Sequence, residues 1–197
     1  MNDGSLDDTE DIVSGAKKEI PSIKYAGYKE NRGKGYAIRR GVALSTGDII
    51  LVSDADLSTP IEEVEKLLVH YDNGYSIVIG SRAVRGSEII VRQLWYRELM
   101  GKTFNRIVRF LLLKEFKDTQ CGFKLFDGNI GREIFKQATV DRFAYDVEIL
   151  YMGMKAGYKI KEIPVKWLNS PASKVRPVKD SFQMAKDLIK MRLWKRR

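Results

Sequence analysis

An α/β fold with a partly parallel sheet is predicted by three observations. Strand-like and helix-like patterns alternate along the chain, short apolar runs are bounded by turn residues, and amphipathic stretches of helical period separate those runs. The 197 residues, 44% hydrophobic and 31% charged, suffice for one domain with a sizeable core and are ordinary for a globular protein. A single domain over 1–197 is therefore expected.

The elements follow in order. Residues 22–28 read as a strand, and 35–45 as a helix with Ile38, Gly41, Val42 and Ser45 on one face. Gly47-Asp48 turns the chain into the apolar strand Ile49–Val52. Thr59 as N-cap, Pro60 at the first helical position and Glu62 closing a capping box predict a helix over 60–71. A buried strand is expected over 76–79. Phe104, Ile107, Val108, Leu111 and Leu112 mark a long helix, and Ile149, Met152 and Ala156 mark another that stops at Gly157. Alternation over 158–165 reads as a strand. In the basic end, about 180–197, Phe182, Ala185, Leu188 and Ile189 form an apolar stripe beside Lys186, Lys190 and Arg192. Such a helix either lies on a membrane surface or packs its stripe on the core with its cations solvated. No repeat or low-complexity linker interrupts this order.

Composition removes several chemistries. The lone Cys121 rules out an internal disulfide framework, and the lone His70 leaves little scope for a Ser-His-Asp triad or a His-rich metal site. No apolar stretch approaches the roughly 18 residues of a spanning helix. The acidic start, Asn2-Asp3-Gly4-Ser5-Leu6-Asp7-Asp8, is unlike a secretory signal. A cytoplasmic location is expected. The net charge of +9 favours polyanions: phosphorylated substrates, an anionic membrane or nucleic acid. The acidic first segment and a central aspartate pair argue against a nucleic-acid-binding module.

That pair is Asp54 and Asp56 in Ser53-Asp54-Ala55-Asp56-Leu57, directly after Ile49–Val52. A strand ending in Asp-x-Asp delivers two hard oxygen ligands to the carboxyl edge of a sheet, where Mg²⁺ or Mn²⁺ can bridge them to phosphates. The alternative is a turn whose carboxylates bond neighbouring backbone N–H groups. Asn31-Arg32-Gly33-Lys34-Gly35 precedes a helix, so its N–H groups and Lys34 could cradle an anion, or it is a plain Gly-rich turn. Gly80-Ser81-Arg82 aims a guanidinium from the same sheet edge, for phosphate contact or a surface ion pair.

Taken in order with Asp118-Thr119-Gln120-Cys121-Gly122-Phe123-Lys124, Arg142-Phe143-Ala144-Tyr145-Asp146-Val147-Glu148 and Ser173-Lys174-Val175, these motifs span nearly the whole chain. The chain resembles family 2 glycosyltransferases of the GT-A fold, within them most closely the dolichyl-phosphate glucosyltransferases, with dolichyl-phosphate mannose synthases as near relatives. The resemblance implies inverting transfer of a sugar from UDP-glucose or GDP-mannose to a polyprenyl phosphate at the cytoplasmic membrane face. It implies Mg²⁺ or Mn²⁺ on Asp54 and Asp56, Asp3 at the nucleoside, and Lys34 and Ser173 among the donor contacts. Arg82, Arg97 and Lys174 would surround the phosphates, with Asp118 and Gln120 where acceptor and sugar meet. Asp146 and Glu148 read either as the cap and first-turn acid of a helix or as groups at the metal or sugar, and Cys121 as a packing residue. Trp95, Tyr96 and Phe104 read as a lipid path or as core. A second copy of the chain or a separate membrane subunit would be a fitting partner. Members of this family open with an apolar strand and a Pro-x-Tyr-Asn-Glu-like loop upstream of Asn-Asp-Gly-Ser, so a sheet short of its first strand is expected. With it stands the alternative of an inactive fragment or interaction subunit.

Overall fold

The computed structural model describes residues 1–91, 93–169 and 177–193, with the side chains of residues 97 and 177–179 outside that description. Eight strands and seven α-helices alternate among them: β1 (Asn2–Asp3), α1 (Thr9–Glu19), β2 (Gly27–Tyr28), α2 (Lys34–Leu44), β3 (Ile49–Val52), α3 (Val64–Asp72), β4 (Ile77–Ser81), β5 (Glu88–Val91), α4 (Trp95–Leu111), β6 (Lys124–Asp127), α5 (Gly128–Gln137), α6 (Tyr145–Lys155), β7 (Ile160–Pro164), β8 (Lys166–Leu168) and α7 (Pro177–Arg192). The central sheet has the order β3-β6-β4-β7. Strands β4 and β7 run parallel, and β6 runs antiparallel between β3 and β4. The expected α/β class with a partly parallel sheet is what forms.

β6 divides the core because successive side chains of a strand point to opposite faces. Phe126 joins Val42, Ile50, Ile77, Ile134 and Leu150 under α2, α5 and α6. Leu125 and Phe123 join Leu67, Val78 and Ile163 under α3. Lys124, two residues from Phe126, therefore points toward α6, into the larger core.

Two short parallel ribbons flank this sheet, β1 with β2 and β5 with β8. Among the described residues β3 is an edge strand, and the β1–β2 ribbon is separate from it. Of the strand expected over 22–28 only Gly27–Tyr28 forms, because its partner β1 offers two residues.

Other departures have local causes. Helix α1 buries no residue, so no core-facing period marks it in the sequence. The expected capping box is absent: Pro60 takes the N-cap position of a 3₁₀ turn at Ile61–Glu63 without a side-chain cap bond. Thr59 is buried with its hydroxyl 3.9 Å from Cys121 Sγ. Glu63, not Glu62, is the buried carboxylate, accepting from Lys66 Nζ at 2.7 Å and Lys166 N–H at 3.2 Å. In α7, Met184, Leu188 and Met191 face the core while Phe182 and Ile189 are exposed, so the apolar stripe read from the sequence divides between the two sides. No helix among the described residues is long and apolar enough to cross a membrane.

Leu125 is fully buried at the centre of the sheet. Leu125→Ala should destabilise the fold by about 2–5 kcal/mol, read as a lowered urea midpoint.

Candidate active site

The carboxyl ends of β3 and β4 meet the segment leading into β6 at one corner of the sheet. Beyond Val52 the chain turns tightly: Leu57 N–H donates to Asp54 C=O at 3.1 Å, Ser58 N–H donates to Asp56 Oδ1 at 3.0 Å, and Leu57 adopts φ 51°. The turn displays two carboxylates. Asp56 is exposed, and the Asp54 side chain retains 36% of its accessibility. Asp54 lies directly over Gly122, where an added Cβ would overlap its carboxylate. Only glycine lets the two segments approach so closely.

Cations neutralise this corner pair by pair. Lys34, the first residue of α2, places Nζ 2.5 Å from Asp54 Oδ1. Lys124 Nζ lies 2.5 Å from Asp146 Oδ1 in the first turn of α6 and also donates to Cys121 C=O; both side chains are almost wholly buried. Arg82, just after β4, grips Asp118 through Nε at 2.6 Å and Nη2 at 2.9 Å, while its backbone N–H donates to the same carboxylate at 3.0 Å. Burial opposes charge at Asp118, yet the Arg82 charge and hydrogen bonds hold its pKa down at about 2. Burial likewise opposes charge on Arg82 and is outweighed by Asp118, which raises its pKa. For Lys34 the charges of Asp146 and Asp54 outweigh desolvation and raise the pKa. Burial pushes the Cys121 thiol up, which favours its packing role over a nucleophilic one. Burial, followed by the charges of Asp146 and Asp54, pushes the Tyr145 phenol up.

The loop at 31–35 differs from an open anion cradle. Asn31 Nδ2 and the backbone N–H groups of Arg32 and Gly33 all donate to the Asp3 carboxylate at 2.8–2.9 Å. Gly33, at φ 107°, and Gly35 give α2 its close approach to the backbone at 140–142. Lys34 alone of this loop turns to the aspartate pair. Asp3 thus fastens β1 to the start of α2.

Gln120 is half-buried, and its N–H donates to Asp118 Oδ1 at 3.2 Å. Asp118 N–H and Lys117 N–H both donate to Glu162. Arg97 falls in the first turn of α4 with its side chain outside the description, and Ser173 and Lys174 lie outside the described residues. Asp146 is not the N-cap of α6, which is Ala144: it is the counter-ion of Lys124, and with Asp54 it acts on Lys34. Glu148 accepts from Thr139 and Val140. Sequence reasoning missed Lys124, although a lysine between Phe123 and Leu125 in an apolar strand has to be paired to be buried.

Among the described residues no group of three or more His, Cys, Asp or Glu side chains is gathered around a metal position. Asp54 and Asp56 offer hard oxygens of the kind Mg²⁺ and Mn²⁺ prefer, in a number that leaves most of the coordination to phosphate and water. The pair fits a cation bound together with a diphosphate, with Lys34 displaced from Asp54.

The family model for glycosyl transferase family 2 matches residues 1–135. The chain belongs to that family. It is 37% identical over 199 residues to a dolichyl-phosphate beta-glucosyltransferase of Dictyostelium discoideum, covering 98% of this chain and 61% of that one. The Homo sapiens protein of the same name is 38% identical, with 98% and 62% covered. The chain thus spans about three fifths of the length of the curated relatives it matches. Among solved structures, glucosyl-3-phosphoglycerate synthase from Mycobacterium tuberculosis in complex with UDP superposes with a TM-score of 0.61 at 20% identity, over 98% of this chain and 68% of that one. The same synthase in complex with Mn²⁺ and UDP-glucose gives 0.57 at 21% identity, over 96% and 64%. This member of the family therefore has the GT-A fold, a mixed sheet flanked by helices.

Asp118 sits at about 2 in the fold against an ordinary 3.8, so the ionised pair adds stability that is complete above the unfolded value and lost as pH falls toward the folded one. Urea unfolding between about pH 5 and pH 2 should show Asp118 contributing about 2 kcal/mol to the acid decline. Asp118→Asn should remove that share of the pH dependence and cost about 2 kcal/mol at neutral pH, because Arg82, its side chain 28% exposed, then lacks its counter-ion.

Proposed function

We propose that this family 2 glycosyltransferase moves glucose from UDP-glucose to dolichyl or another polyprenyl phosphate, with inversion, at a membrane surface. The observation that carries the reading is the Asp54–Asp56 turn with Lys34 paired to Asp54: two hard ligands and one partly exposed cation at the carboxyl edge of β3. The relatives named dolichyl-phosphate beta-glucosyltransferase support the acceptor and the sugar. A neighbour of the same fold, solved with Mn²⁺ and UDP-glucose, supports the donor class and a divalent metal.

Asp54 and Asp56 would hold Mg²⁺ or Mn²⁺, which when bound supplies neutralisation of the donor diphosphate. Lys34 would leave Asp54 and take up a phosphate oxygen instead. Arg82 keeps Nε and Nη2 on Asp118, so Nη1 is the nitrogen that would meet an anion, joined by Arg97 and Lys174. Gln120, tied to Asp118 through its backbone, would line the meeting point of acceptor and sugar with Ser173 at the donor side, and Asp3 would set the loop that borders the nucleoside. No histidine base is required, because the second pKa of a phosphate monoester lies near 6 and the acceptor is largely ionised at neutral pH. The demand is electrostatic: two anions must meet and a diphosphate must leave.

The test measures UDP released from UDP-glucose with a short-chain polyprenyl phosphate and Mn²⁺ or Mg²⁺. Release should require both metal and acceptor and fall by about 10²–10³-fold in Asp56→Ala. Release that persists in chelator or survives in Asp56→Ala would overturn the reading, and preference for GDP-mannose would reassign the donor.

A further inference from the structure

We propose that Trp167 is a positioning residue for Arg82, a wall that fixes the plane of the guanidinium and so sets where its Nη1 meets a phosphate. The role rests on the proposed phosphate chemistry for its purpose and on the geometry around β8 for its content. A guanidinium held by a carboxylate along one edge is not yet fixed. Arg82 gives Asp118 its Nε at 2.6 Å and its Nη2 at 2.9 Å, and two bonds to one carboxylate define an axis about which the planar group can still tilt. Nη1 lies outside that pair and swings with the tilt. The second restraint is the Trp167 ring: the Arg82 guanidinium carbon stands over it, 5.4 Å from the centroid, inside the roughly 6 Å range of a cation–π contact. With one edge held by Asp118 and one face held by the indole, the tilt is closed.

The wall is itself held. β7 runs parallel to β4 with Pro164 opposite Ser81, and Val165 N–H donates to Ser81 C=O at 3.2 Å, so the two chains stay side by side beyond their paired strands and bring Trp167 next to Arg82. In β8, Lys166 N–H donates to the buried Glu63 carboxylate at 3.2 Å and Leu168 N–H donates to Ser58 C=O at 2.7 Å. The backbone on each side of Trp167 is therefore fastened to the segment that follows the Asp54–Asp56 turn. Ser58 N–H in turn donates to Asp56 Oδ1 at 3.0 Å, so β8 joins the acidic turn and the arginine on one frame. On its other side β8 pairs with β5, Ile89 standing opposite Trp167.

Trp167 is only 9% exposed. An indole so covered has little surface to offer a ligand and acts through the cation it faces. A side chain that merely filled the space between β8 and Arg82 would be replaceable by any apolar group, whereas one that restrains a cation needs the negative face of an aromatic ring. Phenylalanine keeps that face and leucine does not, which separates the two roles.

The experiment titrates the full chain with inorganic pyrophosphate, followed by tryptophan emission and by calorimetry, in wild type, Trp167→Phe and Trp167→Leu, with thermal melting of each. Wild-type emission should change as pyrophosphate binds, because an anion at Arg82 alters the field at the indole. That change should be lost in Trp167→Phe while calorimetry still reports binding within about threefold of wild type, the aromatic face being kept. Trp167→Leu should bind about tenfold more weakly than wild type, as loss of a cation–π restraint implies. Should Trp167→Leu melt before it can be titrated, the emission change and its loss in Trp167→Phe carry the test. No pyrophosphate binding or no emission change in wild type, an emission change that persists in Trp167→Phe, or equal affinity in Trp167→Phe and Trp167→Leu would overturn the proposal. The proposed function reports separately: the expected pyrophosphate pattern without UDP release from UDP-glucose would count against the glucosyl donor and leave the role of Trp167 standing.

Discussion

The need to neutralise carboxylates brought together at one sheet corner governs this structure. Asp54, Asp118 and Asp146 come from three different segments, and each is paired with a cation distant from it in sequence: Lys34, Arg82 and Lys124. The pairs are graded by burial. Lys124 and Asp146 are nearly inaccessible, Arg82 and Asp118 are partly so, and Lys34 and Asp54 are about one-third exposed. A buried charge left without its partner is far costlier than an exposed one, so the first two pairs are structural fixtures. The third is the one that the proposed function has a ligand exchange. Structure and proposed chemistry therefore use the same residue types at different depths.

The fixed pairs also set the geometry of the exchangeable one. Lys124 holds Asp146 and the Cys121 carbonyl together, which seats Gly122 beneath Asp54. Arg82 and Glu162 orient the start of the same segment through Asp118. Asp3 anchors the loop from which Lys34 projects. Chain segments far apart in sequence thus converge on one carboxylate without any of their own backbone being strained there, apart from Leu57 at φ 51°.

Much of this was legible in the sequence where one residue type has one use. Ile49–Val52 is an apolar run between a Gly-Asp turn and an acidic turn, and it forms as read. The start of α2 after Gly33 and the stop of α6 near Gly157 follow from glycine. What was not legible depends on partners that periodicity does not report. α1 packs no face on the core. The Thr59 cap lost to burial against Cys121. Asp3 and the N–H groups of 31–33 satisfy one another, and Lys124 met Asp146 because β6 alternates its faces and α6 begins opposite it. The family motifs brought Arg82 and Asp118 onto one list of site residues, but only the fold showed that they bind each other.

The central claim is that Asp54 and Asp56 become a metal site only when a diphosphate supplies the remaining oxygens and Lys34 lets go. Electron paramagnetic resonance of Mn²⁺ titrated into the protein tests it most directly, with UDP absent and then present. The expected result is weak Mn²⁺ uptake alone, tight uptake with UDP, and no UDP-dependent gain in Asp54→Asn. Equal Mn²⁺ affinity with and without UDP, or a gain that survives in Asp54→Asn, would contradict it.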